Sequence, residues 1–191
     1  MLKLLRNNIL KIIALLILSG AFCACTTKQE NYTVDIKAHK KGIDLINKDT
    51  EIKSITSLGK GLILENGNIM TVAHLIRGAQ EISVNNQKAK LVKLMENDLA
   101  ILKTTNQKKG LKISQKACKQ YYFKGTKVGK GQQKGIFVSL VSGIGSDKQL
   151  EIEGLNFNNT LEFDLNAAKG DSGTPLLCEN GKVAGVLVGV R

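Results

Sequence analysis

From residue 52 to residue 190 the apolar positions fall into short runs closed by glycine, asparagine or charged residues. No segment there keeps a helical period of about 3.6 over some ten residues. Short apolar runs between turn formers predict strands. Gly61–Leu64 and Asn68–Val72 flank Glu65-Asn66-Gly67, and Asn-Gly between apolar runs is a strong hairpin signal. Further strands are predicted at 81–84, 89–95, 99–103, 118–123, 136–141, 150–152, 161–164, 174–178 and 182–190. Asn180-Gly181 marks a second hairpin within the last pair. The polar stretch Thr104–Lys116 divides the runs into two groups of similar size, which predicts two small β lobes around a cleft.

Composition supports this. Of 191 residues, 42% are apolar but only 4% are aromatic and none is Trp, so the core rests on Val, Ile and Leu, which suit pleated strands. Nineteen Gly supply turns, and a single Pro with 23% charged residues argues against a disordered or collagen-like chain.

The first residues read as an address. Lys3, Arg6 and Lys11 precede the apolar stretch Ile12–Ala24, the layout of a secretory signal. Its thirteen residues are short for a spanning helix, which needs about 20. Phe22-Cys23-Ala24-Cys25 resembles a bacterial lipoprotein signal, which implies cleavage before Cys25 and its lipidation; plain secretion and an uncleaved anchor are the alternatives. The expected division is a signal over 1–24, a tether over 25–50, a first lobe over 51–108 and a second over 109–191. His39, flanked by lysines in the tether, reads as a solvated residue.

Three segments carry chemistry. His74 directly follows the strand ending in Thr71-Val72-Ala73, so its backbone is held while its ring faces out of the sheet edge. Asp98 precedes the apolar strand Leu99–Lys103, where a carboxylate is buried at a cost unless a partner such as an imidazole N–H meets it. Gly170-Asp171-Ser172-Gly173 permits a tight backbone that turns adjacent N–H groups toward one point, as an oxyanion requires. Singly, these read as a surface histidine, a turn aspartate and an ordinary glycine loop.

Together, in the order His, Asp, Ser, they resemble the trypsin-like serine peptidase family, and the resemblance spans residues 52–190. Gly61–Leu64 with Thr71–His74, Asn97–Leu102 and Gly170–Leu177 resemble its histidine, aspartate and serine blocks. The spacings of 24 and 74 residues are nearer to compact bacterial members than to digestive trypsins. The resemblance implies an all-β, two-lobed antiparallel β-barrel fold, the chymotrypsin-like double barrel. It also implies a serine endopeptidase with His74, Asp98 and Ser172 as catalytic triad, Gly170 and Ser172 as oxyanion-hole donors, and no metal or cofactor. The competing reading is a catalytically inactive relative that binds at the envelope. Cys118 and Cys178 stand at positions the family often bridges.

Departures from the family pattern matter as well. No Ile-Val-Gly-Gly-like segment stands ahead of the domain to supply the amino terminus that usually pairs with the aspartate of Gly-Asp-Ser-Gly, so the partner of Asp171 is open. Leu75 stands where animal members carry a cysteine. Asn166, six residues before Ser172, would lie at the base of the substrate pocket, with Val188 and Val190 in its wall. An amide there lacks the charge that selects Arg or Lys, which favours small or medium apolar side chains.

Net charge is +12, and +9 once 1–24 are removed (25 basic less 16 acidic residues). Ten lysines and no acid lie between Leu99 and Gly145. In an exported bacterial protein, facing the periplasm or exterior from a lipid anchor in the membrane, such a stretch suits an anionic envelope surface or acidic substrates. A solvated lobe surface is the plainer reading, and no nucleic acid is expected. The implied partner of the site is a protein or peptide substrate.

Overall fold

The computed structural model describes residues 32–43, 52–105, 108–141, 150–152 and 155–190. The signal segment and Cys25 lie outside the described residues. Two antiparallel β lobes account for nearly all of the described chain, as the sequence predicts.

The first lobe contains β1 (Thr33–Ile43), β2 (Ile52–Ile63), β3 (Ile69–Val72), the one-turn helix α1 (Ala73–Ile76), β4 (Ala79–Val84), β5 (Gln87–Leu94) and β6 (Leu99–Lys103). The strands form a closed barrel in the order β1-β2-β3-β6-β5-β4. Val34, Ile36 and Ala38 turn into the barrel while Asp35 and Lys37 face solvent, the two-residue alternation of a half-buried strand. Residues 33–43, expected within a tether, are therefore a barrel strand. β1 pairs with β2 from Thr33↔Leu62 to Ile43↔Ile52 and with β4 from Ile36↔Val84 to Lys40↔Ala79, and so closes the barrel. His39 is correspondingly half-buried, 3.0 Å from the Thr56 hydroxyl.

The second lobe contains β7 (Tyr121–Phe123), β8 (Thr126–Ser139), β9 (Leu150–Ile152), β10 (Leu155–Phe157), β11 (Thr160–Asp164), β12 (Pro175–Cys178) and β13 (Val183–Val190). Five of these form a sheet in the order β11-β8-β13-β12-β7, and β8 also pairs with β7, curling the sheet round on itself. β9 and β10 form a separate two-stranded ladder.

Both predicted Asn-Gly hairpins are present with matching chemistry. Gly67 and Gly181 have φ of 80° and 76°, a conformation that glycine adopts without steric cost. In each turn the asparagine carboxamide oxygen accepts the N–H two residues on, from Asn68 and from Lys182.

One core cluster runs through both lobes, from Ile36, Leu62, Val72 and Leu102 to Val138, Val183 and Val186. A second lies within the second lobe around Phe123, Phe137, Leu176 and Leu187, where Phe123 and Phe137 meet edge to face at 5.6 Å. Each fully buried aliphatic side chain contributes about 1.5–3 kcal/mol. The segment between the lobes is sewn to both: Leu111 N–H donates to Ile63 O at 2.9 Å and Ser114 N–H to Val183 O at 2.7 Å. These bonds fix the lobes against one another, and the site lies between them. Among the described residues no helix is long and apolar enough to cross a membrane.

Candidate active site

β3 is buried throughout and runs directly into α1, where Ala73, Leu75 and Ile76 are buried and anchor the turn. His74 is left as its outward residue, with 39% of its side chain exposed. Its main-chain N–H donates to Asp98 Oδ1 at 2.7 Å, and its ring Nδ1 is hydrogen-bonded to Asp98 Oδ2. The preceding N–H, of Ala73, donates to Asp98 O at 2.6 Å. Asp98 therefore meets α1 through both carboxylate oxygens and its carbonyl.

Only 1% of the Asp98 side chain is exposed, and a buried carboxylate has to be compensated by hydrogen bonds. His74 supplies two. With Nδ1 donating to the carboxylate, the other ring nitrogen, Nε2, is left with a free lone pair. Asn97 and Asp98 both have φ of 57°, the left-handed region that costs a non-glycine residue free energy. The turn is held in part by the Asn97 carboxamide, which accepts Asn158 N–H at 2.8 Å.

Ser172 sits half-buried in the turn between Lys169 and Thr174. Its carbonyl accepts Lys60 N–H from β2 at 2.8 Å. The next residue, Gly173, has φ of 92°, and a Cβ there would lie 1.9 Å from Lys60 O. No side chain fits. Thr71 Oγ1 donates to the same Lys60 carbonyl at 2.7 Å, so β3 meets β2 at the point where the serine loop docks. A Cβ on Gly59 would lie 2.6 Å from Leu75 Cδ2 and 3.0 Å from Ser172 O. Leu75, in place of the family's cysteine, thus packs against Gly59, and Gly59-Lys60 touches the elements that carry His74 and Ser172. The Ser172 hydroxyl and the His74 ring share no hydrogen bond in this structure, and such bonds are commonly loose in unliganded enzymes.

Around Ser172 the main-chain donors divide in two. Asp171 N–H turns back to Ala168 O at 3.0 Å, and Gly173 N–H donates to Leu187 O at 2.8 Å. No acceptor among the described residues takes the N–H of Gly170 or Ser172. Gly170, at φ of 96°, has open space where a Cβ would stand.

Two residues at the site were not singled out by sequence reasoning. Lys124 Nζ lies 2.6 Å from both carboxylate oxygens of Asp171 and supplies the partner that was open. Lys40 of β1 donates from Nζ to His74 O at 3.0 Å. Neither had a local signal, because each reaches its partner from a strand or turn distant in sequence.

The pocket residues are more scattered in burial. Asn166 is exposed while its neighbour Leu165 turns into the core; Val188 is buried and Val190 is 41% exposed. A cavity of about 560 Å³ lies instead beside the β2–β3 turn, lined by Leu64, Glu65, Asn66, Lys109, Leu111, Lys112 and Ile113, and neither the triad residues nor the expected pocket residues line it. Cys118 and Cys178 form a disulfide with Cα atoms 5.3 Å apart, tying the approach to β7 to the end of β12. Among the described residues no three His, Cys, Asp or Glu side chains cluster as a metal site would require.

Known proteins bear on this arrangement. The chain is 28% identical to the magnetosome formation protease MamE of Magnetospirillum gryphiswaldense, an alignment covering 87% of this chain and 25% of that protein. The chain thus spans about a quarter of that relative's length. Among solved structures it resembles the Rv3671c protease of M. tuberculosis in its active form, with a TM-score of 0.56, 20% identity, and coverage of 86% of this chain and 73% of that one. It also resembles an HtrA-type protease, AlgW, solved with a decapeptide, with a TM-score of 0.58, 15% identity, and coverage of 87% and 62%. At such identities these structures speak for the fold. Residues 59–186 match the trypsin-like peptidase domain, and the chain belongs to that family.

Proposed function

We propose that the chain is a serine endopeptidase of the bacterial cell envelope, using His74, Asp98 and Ser172 as a triad. The observation that carries this reading is the buried Asp98 carboxylate, which accepts both from the main-chain N–H of His74 and at its ring Nδ1. An imidazole so held keeps its tautomer and turns Nε2 to the open side, as a general base requires.

Ser172 Oγ attacks the scissile carbonyl carbon and its proton passes to His74 Nε2. The tetrahedral oxyanion accepts from the N–H groups of Gly170 and Ser172, and Asp98 stabilises the imidazolium. Collapse expels the amine, which takes that proton. Water, deprotonated by His74, then releases the acyl group and restores Ser172. Family membership supports the class of reaction. The apolar strand Gly185–Val190 supports a preference for small or medium apolar side chains before the scissile bond. Export and lipidation at Cys25 rest on the charge-then-apolar leader and its terminal cysteine.

Peptide-cleavage kinetics test the reading. Ser172→Ala and His74→Ala should each lower kcat by several orders of magnitude, and the double variant should be little worse than either, because the residues act as one unit. Cleavage that survives Ser172→Ala refutes the mechanism.

A further inference from the structure

The loop that carries Ser172 is closed by a charge. Asp171 has 9% of its side chain exposed, and Oδ2 accepts Ala168 N–H at 2.7 Å while Asp171 N–H returns to Ala168 O at 3.0 Å. These two bonds close a ring over residues 168–171, with Gly170 inside it and Ser172 next in the chain. Thr174 N–H donates to Asp171 O at 3.0 Å on the other side. The conformation that frees the Gly170 and Ser172 N–H groups therefore depends on where the Asp171 carboxylate is held.

The cation that holds it comes from the β7–β8 turn. Phe123 and Thr126 close that hairpin, leaving Lys124 and Gly125 as its two loop residues, at φ of 48° and 77°. Two positive φ values in a two-residue loop are the geometry that matches the twist of the flanking strands. β7 is in turn fixed to β12 by the pair Leu176↔Phe123 and by the disulfide at the far end of the same ladder. β12 begins three residues after Ser172. The hairpin tip and the serine loop thus share one rigid strand pair. The Lys124 ammonium lies 5.4 Å from the Phe123 ring centroid and bridges both oxygens of Asp171.

We propose that Lys124 is the positioning residue of the oxyanion loop: a half-exposed side-chain ammonium that fixes the buried Asp171 carboxylate and so presents the Gly170 and Ser172 N–H groups, without any chain end having to be released. This deepens the endopeptidase reading above and rests on it for its catalytic consequence. Lys124 touches no reacting atom. Without its ammonium the buried carboxylate loses its counter-charge, and a carboxylate so placed moves toward water and takes the loop with it. The donors then point elsewhere, while the triad side chains stay in place.

The test compares Lys124→Ala, the volume-matched Lys124→Met and the charge-retaining Lys124→Arg in the full chain. Hydrogen exchange is read at the amides of Ala168, Asp171 and Thr174, a measurement that needs no activity. Exchange there should quicken about tenfold or more in the Ala and Met variants and return toward wild type in the Arg variant. In cleavage assays kcat should fall about 100-fold with KM little changed, the scale of losing an oxyanion donor. Added n-butylammonium should restore part of the kcat of Lys124→Ala, which a purely structural lesion would not allow. Unchanged exchange in a folded Lys124→Met protein overturns the proposal, as does a Lys124→Arg protein that fails alongside the other two. If exchange responds as expected but wild type neither cleaves peptides nor reacts at Ser172, the loop assignment stands and the endopeptidase reading falls.

Discussion

Lys60 in β2 of the first lobe donates its N–H to the carbonyl of Ser172 in the second, at 2.8 Å. Through this bond the serine loop docks on the wall of the barrel that carries His74 and Asp98. The lobes are therefore registered at the site itself as well as through the segment between them.

Gly173 makes that docking possible, since any Cβ would lie 1.9 Å from Lys60 O at a φ of 92°. Gly173→Ala should cost at least about 1–3 kcal/mol in urea unfolding, the scale of one strained residue, because clash and strain coincide. Cleavage should fall further than that loss of stability accounts for, since the loop must withdraw from β2. A variant with wild-type stability and wild-type kcat would show the contact to be unimportant.

The barrel-closing role of β1 gives a truncation test. A chain starting at Asn31 keeps every β1 pair with β2 and β4, whereas one starting at residue 44 leaves two strand edges open and uncovers Leu62, Ile82 and Val84. The first should give a cooperative unfolding transition and the second should not. Cooperative folding of the shorter chain would contradict the assignment of residues 33–43 to the barrel.

These two regions mark what was legible in the sequence. The Asn-Gly hairpins and the His, Asp and Ser segments announce themselves locally, because turn chemistry and short motifs are local properties. β1 reads as tether although Val34, Ile36 and Ala38 alternate correctly, because Lys37 and Lys41 on its outward positions dilute its apolar character and Lys40 breaks the inward series. Long strands such as β8 were legible only in part: Ile136–Val141 was predicted, but Thr126–Gly135 is rich in Lys, Gln and Gly. The Lys124–Asp171 pair spans 47 positions and is a product of the fold, and one lysine among ten carries no mark of it.

The disulfide closes a separation of 60 residues. Replacing Cys118 and Cys178 together with Ser should lower stability by roughly 2–5 kcal/mol, as expected for a native bridge in a small domain. Denaturant midpoints of the two proteins under the same oxidising conditions measure it. Equal midpoints would mean that β7 is held to β12 by its ladder alone.

Beside that bridge, Glu179 accepts the N–H groups of Gln120 and Lys119 at 3.2 and 3.4 Å. Its carboxyl is held below the ordinary value first by its own main-chain N–H and then by that of Gln120. A carboxyl depressed in the folded state contributes stability above its unfolded pKa and loses it as pH falls through the folded one. Glu179→Gln should therefore lower the neutral and alkaline plateau of the stability–pH curve without changing its slope, leave stability at the acid extreme as it is, and so flatten the acid limb between them. An unaltered acid limb would contradict this.

Asp98→Asn tests the histidine's partner. The carboxamide can keep the bond to His74 N–H but cannot stabilise an imidazolium, and it favours the wrong ring tautomer. Cleavage should fall about 10⁴-fold with the fold intact. A loss below tenfold would detach Asp98 from the chemistry.

The central claim is that Ser172 is a nucleophile activated by His74. Its most direct measurement is mass mapping of the adduct after treating the folded protein with a fluorophosphonate. The account predicts one covalent phosphonyl group on the peptide containing Ser172, absent in Ser172→Ala and slowed by orders of magnitude in His74→Ala. Labelling at another residue, or a folded protein that takes no label, would contradict it.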